Sequence, residues 1–454
     1  MYLRCRRLLT SNSRSCTVCR QLPFAGIISR RVEPKHRRSR FIPFAAPILR
    51  PRSLHHMKNA TPADTTPPAG AARTHGSLRI VKVESRSDLT TFLHLPWSLY
   101  QDDEQWIPPL LYEQRLLFSP KNPYFDHATC RCWIAFRGRR PVGRISAQID
   151  RLHLDRYDDA TGFFGMLEAE DSGETFQAIL GTAEDWVQGR GMQRIRGPFN
   201  LSINQECGLL VDGFETQPAM MMGHARRYYA TRVEQCGYAK EKDLLAYAID
   251  TGVEPSKAMN LILKRTKNTI ETRTVSRKSF QHDLDMIFDI FNDAWSDNWG
   301  FIPFTRREIT HMANDLKLLI NERLARIACV DGQPAAFIVL LPNLNEAIAD
   351  LNGRLFPLGW LKLLWRLKVR RLRTGRILLM GVRKAFQGTA LGAALAYRVI
   401  GDTRQEVVDL GMKELELSWI LEDNIGVQSI IKDCGGREYK RYRIFSRQLS
   451  ASTP

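Results

Sequence analysis

The sequence predicts an α/β protein made of two tandem domains, each a mixed central sheet flanked by helices. Three observations predict it. Short motifs recur at nearly fixed spacing: Trp106-Ile107-Pro108-Pro109 is answered by Trp299-Gly300-Phe301-Ile302-Pro303, and Gly138 after one apolar run is answered by Gly332 after another. These offsets are 193 and 194 positions, whereas Gly191 to Gly411 and Asn204 to Asn424 are each 220 apart. A spacing that holds and then jumps once marks two copies of one unit with a single insertion. The jump coincides with a basic amphipathic stretch found only in the second copy, residues 354–373. Finally, both copies alternate period-two runs with period-3.6 runs, the pattern of strands and helices layered in one unit.

The elements follow in order. Leu78 to Val83 alternates as an opening strand, and Ser85 starts a helix with Asp88 in its first turn. Trp133–Phe136 and Val142–Ile149 flank a Gly138–Pro141 turn and read as a hairpin. Phe163–Leu167 is a strand, and Glu174–Gln188 is a helix with Phe176, Ile179, Leu180, Ala183 and Val187 along one side. Gly191 ends that helix, and Gln193–Pro198 is the next strand. The second copy repeats the order: strand Thr272–Val275, helix Asp283–Trp295, and a hairpin of Leu324–Val330 with Ala335–Leu341. Strand Arg376–Val382, helix Ala390–Val408, strand Glu414–Ile420, helix Ile425–Asp433 and strand Tyr442–Gln448 complete it. The expected divisions are a basic leader and linker over 1–76, a first domain over 77–250 and a second over 251–454.

Charge needs locating before it is interpreted. The net charge is +18, but residues 1–56 hold twelve Arg, one Lys and one acid, Glu33. The remainder carries about +6, too little for a nucleic-acid footprint, so no nucleic-acid partner is expected. The leader resembles a transit peptide in composition; the favoured alternative makes Met57 the true start. No run approaches the ~18 apolar residues of a spanning helix. Cys16 and Cys19 have metal-ligand spacing without a second ligand pair, so no metal is expected. The scattered cysteines fit a reducing compartment, and a cytoplasmic location is expected, peripheral on the inner membrane surface.

The sharpest motif is Val382-Arg383-Lys384-Ala385-Phe386-Gln387-Gly388-Thr389-Ala390-Leu391-Gly392. A strand passes through a small-residue loop into a long helix. Unpaired amides at such a helix mouth, with the helix dipole behind them, form an anion cradle. A glycine-rich helix start packed on a sheet has the same spacing, so the motif alone leaves both open.

With its order of elements, this segment resembles the GNAT superfamily of N-acetyltransferases. Gln387-Gly388-Thr389-Ala390-Leu391-Gly392 matches the superfamily's Q/R-x-x-G-x-G/A loop, with Ala390 where the first glycine usually stands. A strand ending in Asn424, followed by Gly435-Gly436, matches a second signature. The resemblance implies that Gln387, Gly388, Thr389, Ala390, Leu391, Gly392 and Asn424 bind the acyl-CoA co-substrate. It also implies a backbone donor to the acyl carbonyl near Gly381 and Val382. The tyrosine general acid of many members has no counterpart, because Ile431 stands there. In the first copy the cradle region, Met166 to Gly173, is acidic, which implies a degenerate domain without coenzyme A. The whole layout resembles a tandem GNAT group that includes bacterial ceramide synthases, which implies transfer of an acyl group to an amine, with a sphingoid base or other amino lipid as the acceptor class.

Acyl transfer needs a base for the amine and an acid for the departing thiolate. Candidates are Glu416 and Glu422 as bases and Tyr439 and Tyr442 as acids. Asn200, Asn204, His224, Asn298 and Trp299 are candidates for the acceptor site, and each also has an ordinary structural role open to it. Over Leu355–Arg373 the basic residues Lys362, Arg366, Arg370 and Arg373 form one helical stripe, with Leu361, Leu364, Trp365, Leu367 and Leu372 opposite. That pattern suits either an anionic membrane surface or packing on the first domain. Two other functions stay open: an aminoacyl-tRNA-dependent transferase, and a membrane adaptor with a worn cradle.

Overall fold

The computed structural model describes residues 78–449 except 255, 267, 317 and 318. The leader, Met57 and the Cys16/Cys19 pair lie outside the described residues. The first half contains β1 (Leu78–Lys82), α1 (Arg86–Leu99), α2 (Leu111–Leu117), β2 (Ala128–Arg137), β3 (Arg140–Asp150), α3 (Arg151–Tyr157), β4 (Thr161–Ala169), α4 (Gly173–Gln188), β5 (Arg194–Gly197), β6 (Leu209–Asp212), α5 (Tyr229–Gln235) and β7 (Ala239–Asp250). The second contains α6 (Lys257–Arg265), β8 (Ile270–Thr274), α7 (Phe280–Trp295), α8 (Arg306–Leu316), β9 (Ala325–Val330), β10 (Gln333–Pro342), α9 (Leu344–Ile348), α10 (Gly359–Lys368), β11 (Thr374–Val382), α11 (Ala390–Asp409), β12 (Glu414–Leu421), α12 (Ile425–Asp433) and β13 (Arg437–Gln448).

Local chemistry explains the clearest elements. Ser85 and Asp88 close a reciprocal capping box at the start of α1, which satisfies two orphan amides. α4 buries Phe176, Ile179, Leu180, Ala183 and Val187 against the sheet, and Ser172 caps it. The two halves repeat as expected, and the extra segment of the second copy is α9 with α10, inserted where the first half has only α3. One sequence match fails in space. Asn424 caps α12, whereas the corresponding helix α5 follows Tyr228, so Asn204 is not its counterpart.

The strands form one mixed sheet in the order β1-β2-β3-β4-β5-β13-β7-β12-β11-β10-β9-β8, with β6 on β13. The last strand of each half therefore lies in the other half's sheet. β7 pairs antiparallel with β12, β13 pairs antiparallel with β5, and the two exchanged strands pair with each other. Their apolar side chains are shared accordingly: Leu245, Tyr247 and Ile249 of β7 enter the second half's core, and Tyr442, Ile444 and Phe445 of β13 enter the first. Main-chain bonds thus join the halves through the middle of the sheet.

The inserted helix is shorter than its charge pattern suggests. α10 spans only Gly359–Lys368. Pro357 disfavours extending the helix toward its N-terminus, and the like charges Lys368, Arg370, Arg371 and Arg373 disfavour a further turn. Arg370 and Arg373 consequently leave the stripe predicted for them, and Leu372 is buried.

Candidate active site

The loop from β11 to α11 is built to keep its amides free. Thr389 caps α11: its hydroxyl accepts from the Gly392 amide at 3.0 Å and donates to the Phe386 carbonyl at 2.6 Å. A Cβ on Gly392 would lie 2.0 Å from the Phe386 oxygen, so only glycine lets the loop fold against the first helical turn. Gly388 has φ +71° and open space beside it. Among the described residues, the amides of Gly388, Ala390 and Leu391 have no acceptor. They sit in an exposed loop at the positive end of a 20-residue helix. Gln387 braces the loop, its side-chain NH2 donating to Val382 O at 2.8 Å and Ala294 O at 3.1 Å. Asn424 caps α12 through the Val427 amide at 3.2 Å.

Beside the cradle the sheet splits. β11 and β12 run parallel only as far as Ile377 opposite Leu417. At that point β11 has an extra residue: Leu340 faces Ile377 and Val339 faces Leu379, which leaves Leu378 unpaired. Such a bulge bends a strand and re-aims its side chains. Past it, the β12-facing edge of β11 has no partner strand among the described residues. The Arg383 amide donates to Ala335 O across to β10. By alternation, Gly381 faces β10, while the N–H and C=O of Met380 and Val382 face the slot. Trp295 donates its indole N–H to Met380 O at 3.0 Å and meets Trp419 of β12 edge-on, with centroids 6.0 Å apart. Gly381 is needed for close approach, since a Cβ there would meet Phe337 at 2.8 Å and Ala294 at 3.3 Å.

At the root of the slot lies a buried polar cluster. Glu416 accepts from the hydroxyls of Ser418 and Tyr439. Arg376 donates from Nε to Ser418 Oγ at 3.0 Å, from one Nη to Ser418 O at 3.0 Å, and from the other to Met220 O at 2.6 Å. Its guanidinium is 3.8 Å from Glu416. Tyr442 is fully buried, and its hydroxyl has no partner among the described residues. Burial pushes both tyrosines well above the ordinary phenol value, and the negative Glu416 adds to it. Burial lowers Lys440 to about 8; its ammonium donates to Gly213 O at 2.5 Å and Thr216 O at 2.7 Å.

Of the four predicted catalytic residues, Glu416 and Tyr439 are hydrogen-bonded to each other, while Tyr442 is buried in the first half's apolar core. Glu422 lies elsewhere, paired with Lys240 at 2.6 Å and accepting from the Asp243 amide, where it pins β12 to the exchanged strand β7. Asn200 binds the Met166 amide at 2.7 Å and the Glu206 carboxylate. Glu206 is held above the usual carboxylate range by burial, then by the Glu168 charge. Asn204 donates to Ile302 O at 3.0 Å, tying the halves together. Asn298 forms a turn after α7, and Trp299 lies under the guanidinium of Arg196, 5.0 Å away. His224 pairs with Asp103 at 3.0 Å, and burial depresses its basicity. Sequence reasoning missed Arg376 and Ser418. Their signals were present: an arginine opening the apolar run Ile377-Leu378-Leu379-Met380, and a serine two residues from Glu416 on the same strand.

The corresponding gap in the first half is closed. β4 and β5 also separate, after Phe163 opposite Arg196. Here the chain fills its own gap: the Phe199 amide donates to Phe164 O at 2.7 Å, and a Cβ on Gly165 would be 1.8 Å from Phe199 O. The Gly197-Pro198-Phe199-Asn200 segment thus occupies the slot. Glu170 beyond it is bound by Arg137 and Arg140. Among the described residues no group of three or more His, Cys, Asp or Glu could hold a metal ion.

No family model matches the chain. It is 44% identical over 366 residues to Protein YghO of Escherichia coli K12, covering 80% of this chain and 94% of that protein. It is 43% identical over 379 residues to the bacterial ceramide synthase of Caulobacter vibrioides, covering 83% and 99%. The chain belongs to the bacterial ceramide synthase family. Similar solved structures include a tandem GNAT protein from the clavulanic acid biosynthesis pathway, at 12% identity and TM-score 0.47 over 82% of this chain and 98% of that one. Another is a GCN5-related N-acetyltransferase from Sphaerobacter thermophilus, at 12% and 0.47 over 82% and 96%. Within this chain the second half carries the open loop and slot, and the first contributes the Met220 carbonyl that Arg376 holds.

Proposed function

We propose that the protein is an acyl-coenzyme A-dependent N-acyltransferase whose acceptor is an amino lipid of the sphingoid-base class, working at the inner membrane surface. One observation carries the reading: three unbonded amides at the mouth of α11 lead directly into the β11–β12 slot. The amides of Gly388, Ala390 and Leu391 hold the pyrophosphate, with Gln387 and Thr389 fixing the loop. The slot-facing amides of Met380 and Val382 receive the thioester carbonyl and stabilise the charge that develops there. The amine nitrogen attacks the carbonyl carbon, the C–N bond forms and the C–S bond breaks. Glu416 takes the proton lost by the amine, and the neutral Tyr439 phenol protonates the thiolate. The proton on Glu416 then restores Tyr439 through their shared hydrogen bond. The acceptor class rests on the name of the Caulobacter relative, similar over nearly its full length.

The test is turnover of purified protein with acyl-coenzyme A of graded chain length and a panel of amines, read by thiol release and by mass spectrometry of the amide product. Thiol release matched by an N-acylated long-chain amine is expected. Coenzyme A that is neither bound nor consumed would remove the donor assignment; amide formed only on short soluble amines would remove the lipid acceptor.

A further inference from the structure

α10 is mounted with its charged edge inward. Lys362 and Arg366 both pair with Asp350, and Arg366 also donates to Ala347 O at 2.7 Å. Leu363 and Leu367 pack on the protein beside them. The opposite side, Leu361, Leu364 and Trp365, is left in solvent, and no α10 residue is fully buried. The apolar surface continues through Phe356, 76% exposed, and Leu358, 67% exposed, and beyond the helix to Val369, 66% exposed. Around it stand the exposed cations Arg354, Lys368, Arg370 and Arg373, whose side chains make no ion pair among the described residues. A soluble helix buries its apolar stripe and solvates its charges; here Asp350 holds the helix the other way round.

We infer that α10 is a monolayer anchor. It lies in the surface plane of an anionic bilayer, with the Phe356, Leu358, Leu361 and Trp365 face in the acyl boundary and the cations at the headgroups. Lipid is the occupant because one surface must match both an apolar ridge and a ring of cations whose side chains make no ion pair among the described residues. The inner side of the helix meets the active site. Leu367 joins Met220, Met221, Leu344 and Leu378 in one apolar cluster, and Arg376 of the Glu416 cluster holds the Met220 carbonyl. A long-chain amine leaving the bilayer beside α10 would pass along this cluster toward the slot; that step rests on the N-acyltransferase reading, whereas the anchoring does not.

The experiment uses the full chain, the double variant Leu361→Asp/Trp365→Asp and the charge variant Lys368→Glu/Arg370→Glu. Partition is measured by co-sedimentation with phosphatidylcholine vesicles, with and without 30% phosphatidylglycerol as probe lipid (about a third anionic). The wild type should bind the anionic vesicles, and each variant should lose at least about ten-fold in partition. Equal melting temperatures check that each variant folds. Activity is compared on a short soluble amine and on a vesicle-borne long-chain amine; the variants should keep the first and lose the second. Unchanged partition in the folded double variant overturns the anchor, as does equal binding to neutral vesicles. Lost partition with no turnover on either amine leaves the anchor standing and removes the acyltransfer reading instead.

Discussion

Ala390→Asp moves stability and ligand affinity in opposite directions. Ala390 is the first residue of α11, exposed, beside amides that have no acceptor. A carboxylate in the first turn of a helix stabilises it by about 0.3–1 kcal/mol through the dipole, so the melting temperature should hold or rise. The same carboxylate competes with a diphosphate for the cradle. At roughly 6 Å and an effective dielectric of about 40, each unit charge of repulsion is worth about 1.4 kcal/mol. Two charges on the diphosphate then weaken binding by about 3 kcal/mol, or roughly a hundred-fold. Calorimetric titration with coenzyme A and a thermal melt on the same sample measure both. Undiminished coenzyme A affinity in a well-folded Ala390→Asp protein would refute the placement of phosphates at the α11 mouth.

Glu416→Gln should lower kcat by about 10²-fold or more with little change in coenzyme A binding, since it removes a proton acceptor and not a phosphate contact; Tyr439→Phe should act on the same pre-steady-state step. His127 sits between Asp150 at 2.8 Å and Glu308 at 3.2 Å, across the two halves. Burial alone would lower it, but hydrogen bonds to the two carboxylates outweigh burial and hold it up at about 9. A raised folded value means stability that is fully present below the unfolded pKa of about 6.5 and lost as pH rises through 9. Denaturant melts should therefore show about 2–3 kcal/mol lost between pH 6.5 and 9, and His127→Gln should flatten that window. A fragment of residues 251–454 should not fold alone, because it lacks β7 and leaves β12 with a bare edge where Leu245, Tyr247 and Ile249 belong; cooperative unfolding of such a fragment would contradict the exchange.

Local features were the legible ones. The cradle is continuous in sequence, so Thr389, Gly388 and Gly392 announced both a helix start and a close approach. Hairpins such as β2–β3 could be read from alternation around Gly138. β7 was not read, although Leu244 to Ile249 is an unbroken apolar run, because such a run does not say which strand lies beside it. The grouping of Arg376, Ser418, Glu416 and Tyr439 was legible only in fragments. Its members lie on three strands, and their meeting depends on β13 and β7 both crossing to neighbours that no periodicity names. The partners of Glu422 were illegible for the same reason: its carboxylate is held by the exchanged strand.

By itself the sequence determined that two α/β units stand in tandem, that the Gly388–Gly392 loop opens a long helix in the second, and that the insertion carries one basic and one apolar side. These follow from spacing, glycine stereochemistry and charge within a few residues of each position. Only the tertiary structure decided that the halves trade their last strands, that Pro198 and Phe199 fill the first slot, and that Asp350 turns α10 apolar side outward. Each of those depends on partners far apart along the chain, where hydrogen-bond geometry and burial, rather than local propensity, choose among the contacts the sequence allows.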